Sequence, residues 1–378
     1  MVSDYRIRRK ECRGGIHLAT DSAHRGFDMK RPRLLRSERL LRVLADYQHV
    51  LVVMHDNPDP DAIAAGWAIV WLVEEKLGKK ARLVGGGEII RAENRHMVKL
   101  LQPPVELVRG VDLLPKTAVV LVDCGLGAYN HLFPGGKVAP VAVIDHHLLG
   151  DCDCKALFQD VRPNAMASAS IAAGYLREQN LKPDPRLATA LLYAIRTETR
   201  GNEIHYTRLD RSVWMWLSER ADPTALAEIE NAPLVPEYFA DMALALQGTF
   251  IYGDTALCLL PRAHGPEIVG EVADLLIRCE GIRRVLCGAV FHDDLVLSVR
   301  TERNGEDAAA RVRHTVEGSG FGGGHRHRAG GKIPGLGRGP EVIDLLQDEL
   351  LSRWLITCGI DRQRGRHLIA RREIVENL

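Results

Sequence analysis

Residues 49–61 run His49-Val50-Leu51-Val52-Val53-Met54-His55-Asp56-Asn57-Pro58-Asp59-Pro60-Asp61. The first six are short, apolar and rich in valine, which reads as a strand buried on both faces. The next seven hold one imidazole and three carboxylates in a turn stiffened by two prolines. Residues 61–77 then read as a helix opened by an acidic residue, with Asp61 as its candidate cap. Strand, polar turn and helix in that order are the unit of a parallel α/β sheet.

The same grammar recurs downstream. Further strands are expected at 82–84, 118–122 and 141–144, and later helices at 168–179 and 186–195. The second half has a different rhythm, with strands at 255–260, 285–291 and 295–300 and helices at 269–278 and 307–315. A glycine-dense loop at 318–331 precedes a last helix at 342–354. The fold class is therefore α/β: a parallel-sheet domain and a second, smaller α/β domain. The divisions are a basic extension at 1–46, a first domain at 47–200, a connector at 201–235, a second domain at 236–355 and a tail at 356–378.

Composition bounds the answer. The chain has 378 residues, 46% hydrophobic and 26% charged, with net charge +1, which suits two ordinary globular domains and excludes fibrous or wholly disordered chains. The longest apolar run, 62–73, is too short to span a bilayer, so no membrane partner is expected. The basic N-terminus lacks a following apolar segment, so no secretory leader is expected and the cytoplasm is the expected compartment. The eight cysteines show no paired framework and read as reduced thiols. Cys152 and Cys154 either bind a soft metal or are neighbours by chance. The charge is unevenly spread: 1–46 carry net +6 and 353–378 net +3, leaving −8 for 47–352. The 1–33 arm is either functional or a solvated extension.

Three of the expected strands end in acid or imidazole groups. The first delivers His55, Asp59 and Asp61, the next Asp123-Cys124-Gly125, and the third Asp145-His146-His147. Ligands of parallel α/β sheets gather beyond such carboxyl ends. Carboxylates suit Mg²⁺ or Mn²⁺, and imidazole tilts the choice toward Mn²⁺. Asp56 and Asn57 either support these ligands or make an Asx-turn.

His55-Asp56-Asn57-Pro58-Asp59-Pro60-Asp61-Ala62, then Val122-Asp123-Cys124-Gly125, then Asp145-His146-His147 resembles the DHH phosphoesterase superfamily. That group includes RecJ-type exonucleases, oligoribonuclease and 3′-phosphoadenosine 5′-phosphate phosphatases, cyclic-dinucleotide phosphodiesterases and family II pyrophosphatases. The family's Thr-Asp-Thr motif is met here by Thr197-Glu198-Thr199, one methylene longer at the acid. Ser298-Val299-Arg300 resembles the Ser-x-Arg strand of the family's associated substrate-binding domain. Gly322-Gly323-Gly324-His325-Arg326-His327-Arg328-Ala329-Gly330-Gly331 resembles its glycine–histidine loop. The resemblance covers about 48–355.

The resemblance implies a parallel-sheet catalytic domain with two Mn²⁺ per site, Mg²⁺ being the alternative. His55, Asp59 and Asp123 would hold one ion. Asp61, Asp123, His146 and Glu198 would hold the other, with Asp123 bridging. His147 would contact phosphate or protonate the leaving group, and Asp145 would orient a histidine rather than bind metal. Arg300, Gly323, Gly324, His325, Arg328 and Gly330 would meet the substrate, with Arg326 a further candidate; Arg326 and Arg328 fall at variable motif positions and are weaker than Arg300 and His325. A plain turn is expected at Gly85-Gly86-Gly87, helix packing for Trp214 and Trp216, and a surface position for His205.

The implied reaction is hydrolysis of short oligoribonucleotides or 3′-phosphoadenosine 5′-phosphate. A cyclic-dinucleotide phosphodiesterase or RecJ-like single-strand exonuclease is the alternative. The alternative of another class is a non-catalytic nucleotide- or nucleic-acid-binding regulator. The expected partner is a short RNA or nucleotide substrate, and a homodimer is left open.

Overall fold

The computed structural model describes residues 34–125, 130–133, 138–147, 155–199, 206–302, 305–324, 326–335, 340–360 and 365–369. The 1–33 arm, Cys12, Cys152, Cys154, His205, His325 and the end of the tail lie outside the described residues.

Six strands form one parallel sheet: β1 (His49–Val53), β2 (Ala81–Gly85), β3 (Val105–Leu107), β4 (Thr117–Val122), β5 (Ala142–Asp145) and β6 (Phe158–Val161). Their order is β3-β2-β1-β4-β5-β6. The chain builds from β1 to one edge, returns to β4 beside β1, and builds to the other edge. β1 and β4 therefore flank the topological switch point, where parallel sheets bind ligands beyond their strand ends.

The valine-rich run of β1 has partners on both faces. Val50, Val52 and Met54 enter the larger core, while Leu51 and Val53 meet Val84, Val119, Leu121 and Val143 in a second one. The larger core is built around α2 (Pro60–Leu77), with α1 (Arg36–Ala45), α3 (Ala92–Leu101), α4 (Ser168–Glu178) and α5 (Pro185–Thr199) against it. Nearly every residue of α2 from Pro60 to Val73 is buried. The long apolar run is thus a central helix wrapped by others, and no helix among the described residues is long and apolar enough to cross a membrane.

Two helices in the expected connector also join this core. Val213 and Leu217 of α6 (Arg208–Ser218) and Leu226 and Ile229 of α7 (Pro223–Glu230) are buried in it. Trp214 and Trp216 pack against the same core, and the guanidinium groups of Arg177 and Arg220 lie over the Trp216 ring.

The remaining elements are α8 (Pro236–Gly248), β7 (Phe250–Tyr252), β8 (Thr255–Leu260), α9 (Glu267–Leu276), β9 (Arg284–Phe291), β10 (Asp294–Thr301), α10 (Ala308–Thr315), β11 (Phe321–Gly324), β12 (Arg328–Ile333), α11 (Pro340–Thr357) and β13 (Arg366–His367). They form a seven-stranded sheet in the order β11-β12-β10-β9-β8-β7-β13. Among the described residues of this sheet, β8 and β9 pair in parallel and the other neighbours antiparallel. One core lies with α8 and α9, the other with α10 and α11.

The glycine-dense segment expected as a loop is two paired strands, β11 and β12, with Gly322 opposite Gly331 and Gly323 opposite Gly330. A side chain at Gly322 or Gly331 would reach within 2.8 Å of Val312 on α10. The glycines let this strand pair lie flat against the helix.

Asp210 is fully buried and ties α6 to the approach of α4. It accepts hydrogen bonds from the Thr207 amide at 2.8 Å, the Thr207 hydroxyl at 2.5 Å and the Met166 amide at 3.2 Å. Asp210→Ala strands these donors and should lower stability by about 1–3 kcal/mol in urea unfolding. An unchanged midpoint would show that the tie is not stabilising.

Candidate metal centre and substrate cavity

β1 and β4 pair in register from His49 against Thr117 to Val53 against Leu121. β4 and β5 continue the register with Val122 against Ile144. The residues just past the strand ends therefore meet. His55 Nε2 lies 3.6 Å from Asp123 Oδ2 and 3.8 Å from Asp59 Oδ1. His146 Nε2 lies 3.5 Å from Asp123 Oδ1 and 3.6 Å from Asp61 Oδ2. His147 Nδ1 lies 3.6 Å from Asp123 Oδ1.

Two groups of donors result, His55–Asp59–Asp123 and Asp123–His146–His147, each with its ligand atoms within 4.8 Å of one another. Asp123 belongs to both. Hard carboxylate oxygens mixed with imidazole nitrogens suit divalent cations such as Mn²⁺ or Mg²⁺. The structure thus brings together the three residues expected for one ion. Around the second it sets His147 beside Asp123 and His146, with Asp61 and Glu198 adjoining.

Local structure fixes each acid. Asp59, rather than Asp61, caps α2: its Oδ1 accepts from the amides of Asp61 at 2.9 Å and Ala62 at 3.1 Å. Asp61 sits inside the first turn and accepts from the Ser168 and Ala169 amides, both at 2.7 Å. It therefore lies at the positive end of α4. Asp123 has a left-handed backbone, φ 58°, which Asp and Asn adopt more readily than most residues. The Ser168 hydroxyl donates to Asp123 Oδ1 at 2.8 Å. Ser168 was missed in the sequence because its only local signal is a helix start. Asp145 Oδ1 accepts from the His147 amide at 3.1 Å and bonds Nδ1 of the same ring at 2.8 Å.

The electrostatics are those of crowded acids. Burial would lift the Asp123 carboxyl, but the hydrogen bond to His55 and the charges of His146 and His147 hold it far below the usual carboxylate range. Burial and the charges of Asp123, Glu198 and Asp59 push Asp61 well up. Burial and the charge of Asp59 raise Glu198, with His146 and Arg328 pulling the other way. Burial opposes a charged His55, but hydrogen bonds to Asp123 and Asp59 outweigh it and raise that imidazole well above its usual range. For His147 burial is again outweighed, by the Asp145 hydrogen bond and the nearby acids, which lift it to about 9. Protons on these imidazoles offset charge that a divalent cation would offset more fully.

The loop carrying Asp59 is braced from β2. The Asn57 side chain accepts from the Glu88 amide at 3.0 Å, and Gly87 has φ 71°. A side chain at Gly87 would come within 2.3 Å of Asn57 Oδ1. The turn at Gly85–Gly87 is therefore a support for the ligand loop.

A cavity of about 380 Å³ runs from Asn57, Pro58 and Asp59 to the second sheet, where Ser298, Arg300, Gly324, Arg328 and Gly330 line it. Of the residues expected to meet substrate, Gly323 pairs with Gly330 but does not line the cavity, Arg326 is exposed and does not line it either, and His325 lies outside the described residues. Arg91, Asn94 and Gly270 also line it. They come from α3 and its approach and from α9, and no local motif marks them.

Residues 49–195 match the DHH family, N-terminal domain. That stretch, from β1 into α5, is what the chain shares with the DHH family. The chain is similar to the uncharacterized protein MJ1633 of Methanocaldococcus jannaschii, 30% identical over 322 residues, or 83% of this chain and 65% of the relative. The chain thus spans somewhat under two thirds of the length of that curated relative. The crystal structure of an exopolyphosphatase-related protein from Bacteroides fragilis superposes with TM-score 0.62 at 12% identity, covering 85% of this chain and 97% of that one. This likeness supports the α/β two-sheet architecture of the chain. RecJ from Thermus thermophilus, crystallised with Mn²⁺, gives TM-score 0.49 at 14% identity over 86% of this chain and 54% of its own.

Three outcomes are expected at this site. A cation must displace protons held by His55, so Mn²⁺ affinity should rise from pH 6 to pH 9 with proton release. Calorimetry in buffers of different ionisation enthalpy checks this, and a pH-independent affinity would contradict it. The folded His147 value of about 9 lies above its reference value of 6.5. Its stabilising contribution in the metal-free protein is therefore fully present below that reference value and lost as pH rises through the folded one. Melting in EDTA should fall over that window, and fall less in His147→Gln. Gly87→Ala should weaken Mn²⁺ binding about tenfold, or about 1.4 kcal/mol, although it changes none of the candidate ligand residues. Unaltered affinity would mean that the turn does not hold the ligand loop.

Proposed function

We propose that the protein is a divalent-metal-dependent phosphoester hydrolase acting on short oligoribonucleotides or on 3′-phosphoadenosine 5′-phosphate. The observation that carries this reading is the pair of donor groups sharing Asp123, one of which contributes Asp59 to the wall of a cavity that also presents Arg300 and Arg328. The cavity size falls in the lower part of the range for small-ligand sites, about 300–1,000 Å³. That favours a nucleotide or the end of a short chain.

In this reading His55, Asp59 and Asp123 hold one Mn²⁺, and Asp61, Asp123, His146 and Glu198 the second, with Mg²⁺ as the alternative. When bound, two such ions lower the pKa of a shared water and offset charge developing at phosphorus. The protein's own groups do the rest. Asp123 remains ionised and is positioned by the Ser168 hydroxyl. Asp145 fixes the His147 ring and, in the metal-free protein, helps lift it to about 9, which equips it to donate toward a phosphate oxygen or the leaving group. Arg300 and Arg328 supply charged donors for phosphate, a role guanidinium suits through its paired N–H groups.

A product screen with Mn²⁺ over 5′-labelled RNA dimers to 24-mers, 3′-phosphoadenosine 5′-phosphate, cyclic dinucleotides and pyrophosphate tests the reading. Turnover of the dimers or the bisphosphate is expected, lost in Asp123→Ala and reduced about 10²-fold or more in His147→Asn. Mn²⁺ binding without hydrolysis of any of these substrates would favour the regulator reading instead.

A further inference from the structure

Arg300 on β10 and Arg328 on β12 are directly opposed in the antiparallel register. Like charges so placed repel and would splay the two side chains. Asp274, on α9, stands between them. Its Oδ1 accepts from Arg300 Nε at 2.5 Å, and its Oδ2 from Arg328 Nη2 at 3.2 Å. The Nη1 of Arg300 is fully committed, donating to Ser298 Oγ at 2.7 Å and the Val299 carbonyl at 3.0 Å. With Nε and Nη1 both engaged, the guanidinium is held in one orientation and its Nη2 is the end left for a ligand.

That end points over Gly270, one helical turn before Asp274 on the same face of α9. A side chain begun at Gly270 would stand 3.7 Å from Arg300 Nη2 and 3.3 Å from Arg91 Nη2. The bare backbone here lets the two guanidinium ends converge on the cavity from different layers. Arg91 is in no ion pair among the described residues, and the three arginines Arg91, Arg300 and Arg328 line this end of the cavity with Glu267 as the acid beside them in its wall.

We propose that Asp274 is a positioning residue for phosphate recognition, and that Gly270 keeps open the space into which the arginines deliver their free N–H groups. The inference rests on reading the cavity as a phosphate site. It also has a sign that bare electrostatics does not share. Asp274 is an anion beside a site for anions, so simple charge removal would tighten phosphate binding. If its task is to hold Arg300 and Arg328 against their mutual repulsion, removing the charge weakens binding instead.

The test compares wild type, Asp274→Asn and Gly270→Val in the full chain. Binding of 3′-phosphoadenosine 5′-phosphate and of adenosine is measured by calorimetry in EDTA, and KM and kcat are measured with Mn²⁺. Asp274→Asn should weaken bisphosphate binding at least tenfold and leave adenosine binding unchanged. KM should rise by a similar factor, with kcat within threefold of wild type. Equal or tighter bisphosphate binding overturns the proposal, as does an equal loss for adenosine or a wild type that binds no bisphosphate. Should Asp274→Asn fail to fold, Gly270→Val decides: the same phosphate-selective loss supports the proposal, and unchanged binding overturns it. A wild type that binds the bisphosphate selectively but hydrolyses nothing removes the hydrolase reading and leaves the positioning role to stand on the binding data.

Discussion

The in-register pairing of β1, β4 and β5 is the constraint on which the rest depends. Val53 lies against Leu121 and Val122 against Ile144, so the three strands stop at nearly the same level. His55 and Asp123 each come two residues after a paired position, and Asp145, His146 and His147 emerge at the next strand. A slip of one residue would turn every side chain of a strand to the opposite face. Two hydrophobic cores forbid that slip, because alternate residues of β1 are packed on both sides. The apolar strands thus fix the polar site, and Asp123 can bridge two donor groups because its strand lies between the other two.

Crowding four carboxylates at such a point is unfavourable by itself, and the fold offsets it with dipoles and hydrogen bonds. Asp59 is spent on the first turn of α2, Asp61 on the amides that open α4, and Asp123 on the Ser168 hydroxyl. Among the described residues no such helix end supports Glu198, and it is raised by burial and by the charge of Asp59. The same amides that orient these acids also stabilise them as anions. The acidic body inferred from net −8 over residues 47–352 therefore has a local expression here, with part of its charge concentrated at the strand ends.

Much of the first layer was legible because its elements follow strong local rules. Long apolar runs marked β1, α2 and β4, and acid–imidazole clusters at their ends marked the site. Strand order was not legible: nothing in residues 49–54 says that they lie beside 117–122 instead of at an edge. Short or amphipathic elements also escaped, among them β3, β6, α3 and α8, whose residues are largely exposed or polar. The capping role went to Asp59 instead of Asp61 because Pro60 suits the first helical position, which moves the cap back to the residue before it. The glycine-rich segment misled for a different reason. Glycine signals a loop by propensity, but here tertiary packing on Val312 demands flat strands with no side chains.

Arg91, Gly270 and Asp274 show the limit most clearly. None belongs to a motif, and each acquires meaning only when α3 and α9 face the same cavity. Yet the two layers already sense each other: the charge of Arg328, on the second sheet, opposes the rise that burial and Asp59 cause at Glu198, on α5 of the first layer. A whole-chain charge of +1 conceals this arrangement, in which one layer brings acids suited to cations and the other brings arginines suited to phosphate. A phosphorylated ligand between them would complete a charge sequence of carboxylate, cation, phosphate and guanidinium. Each neighbour in that sequence would be opposite in sign, which is the electrostatic logic of the proposed reading.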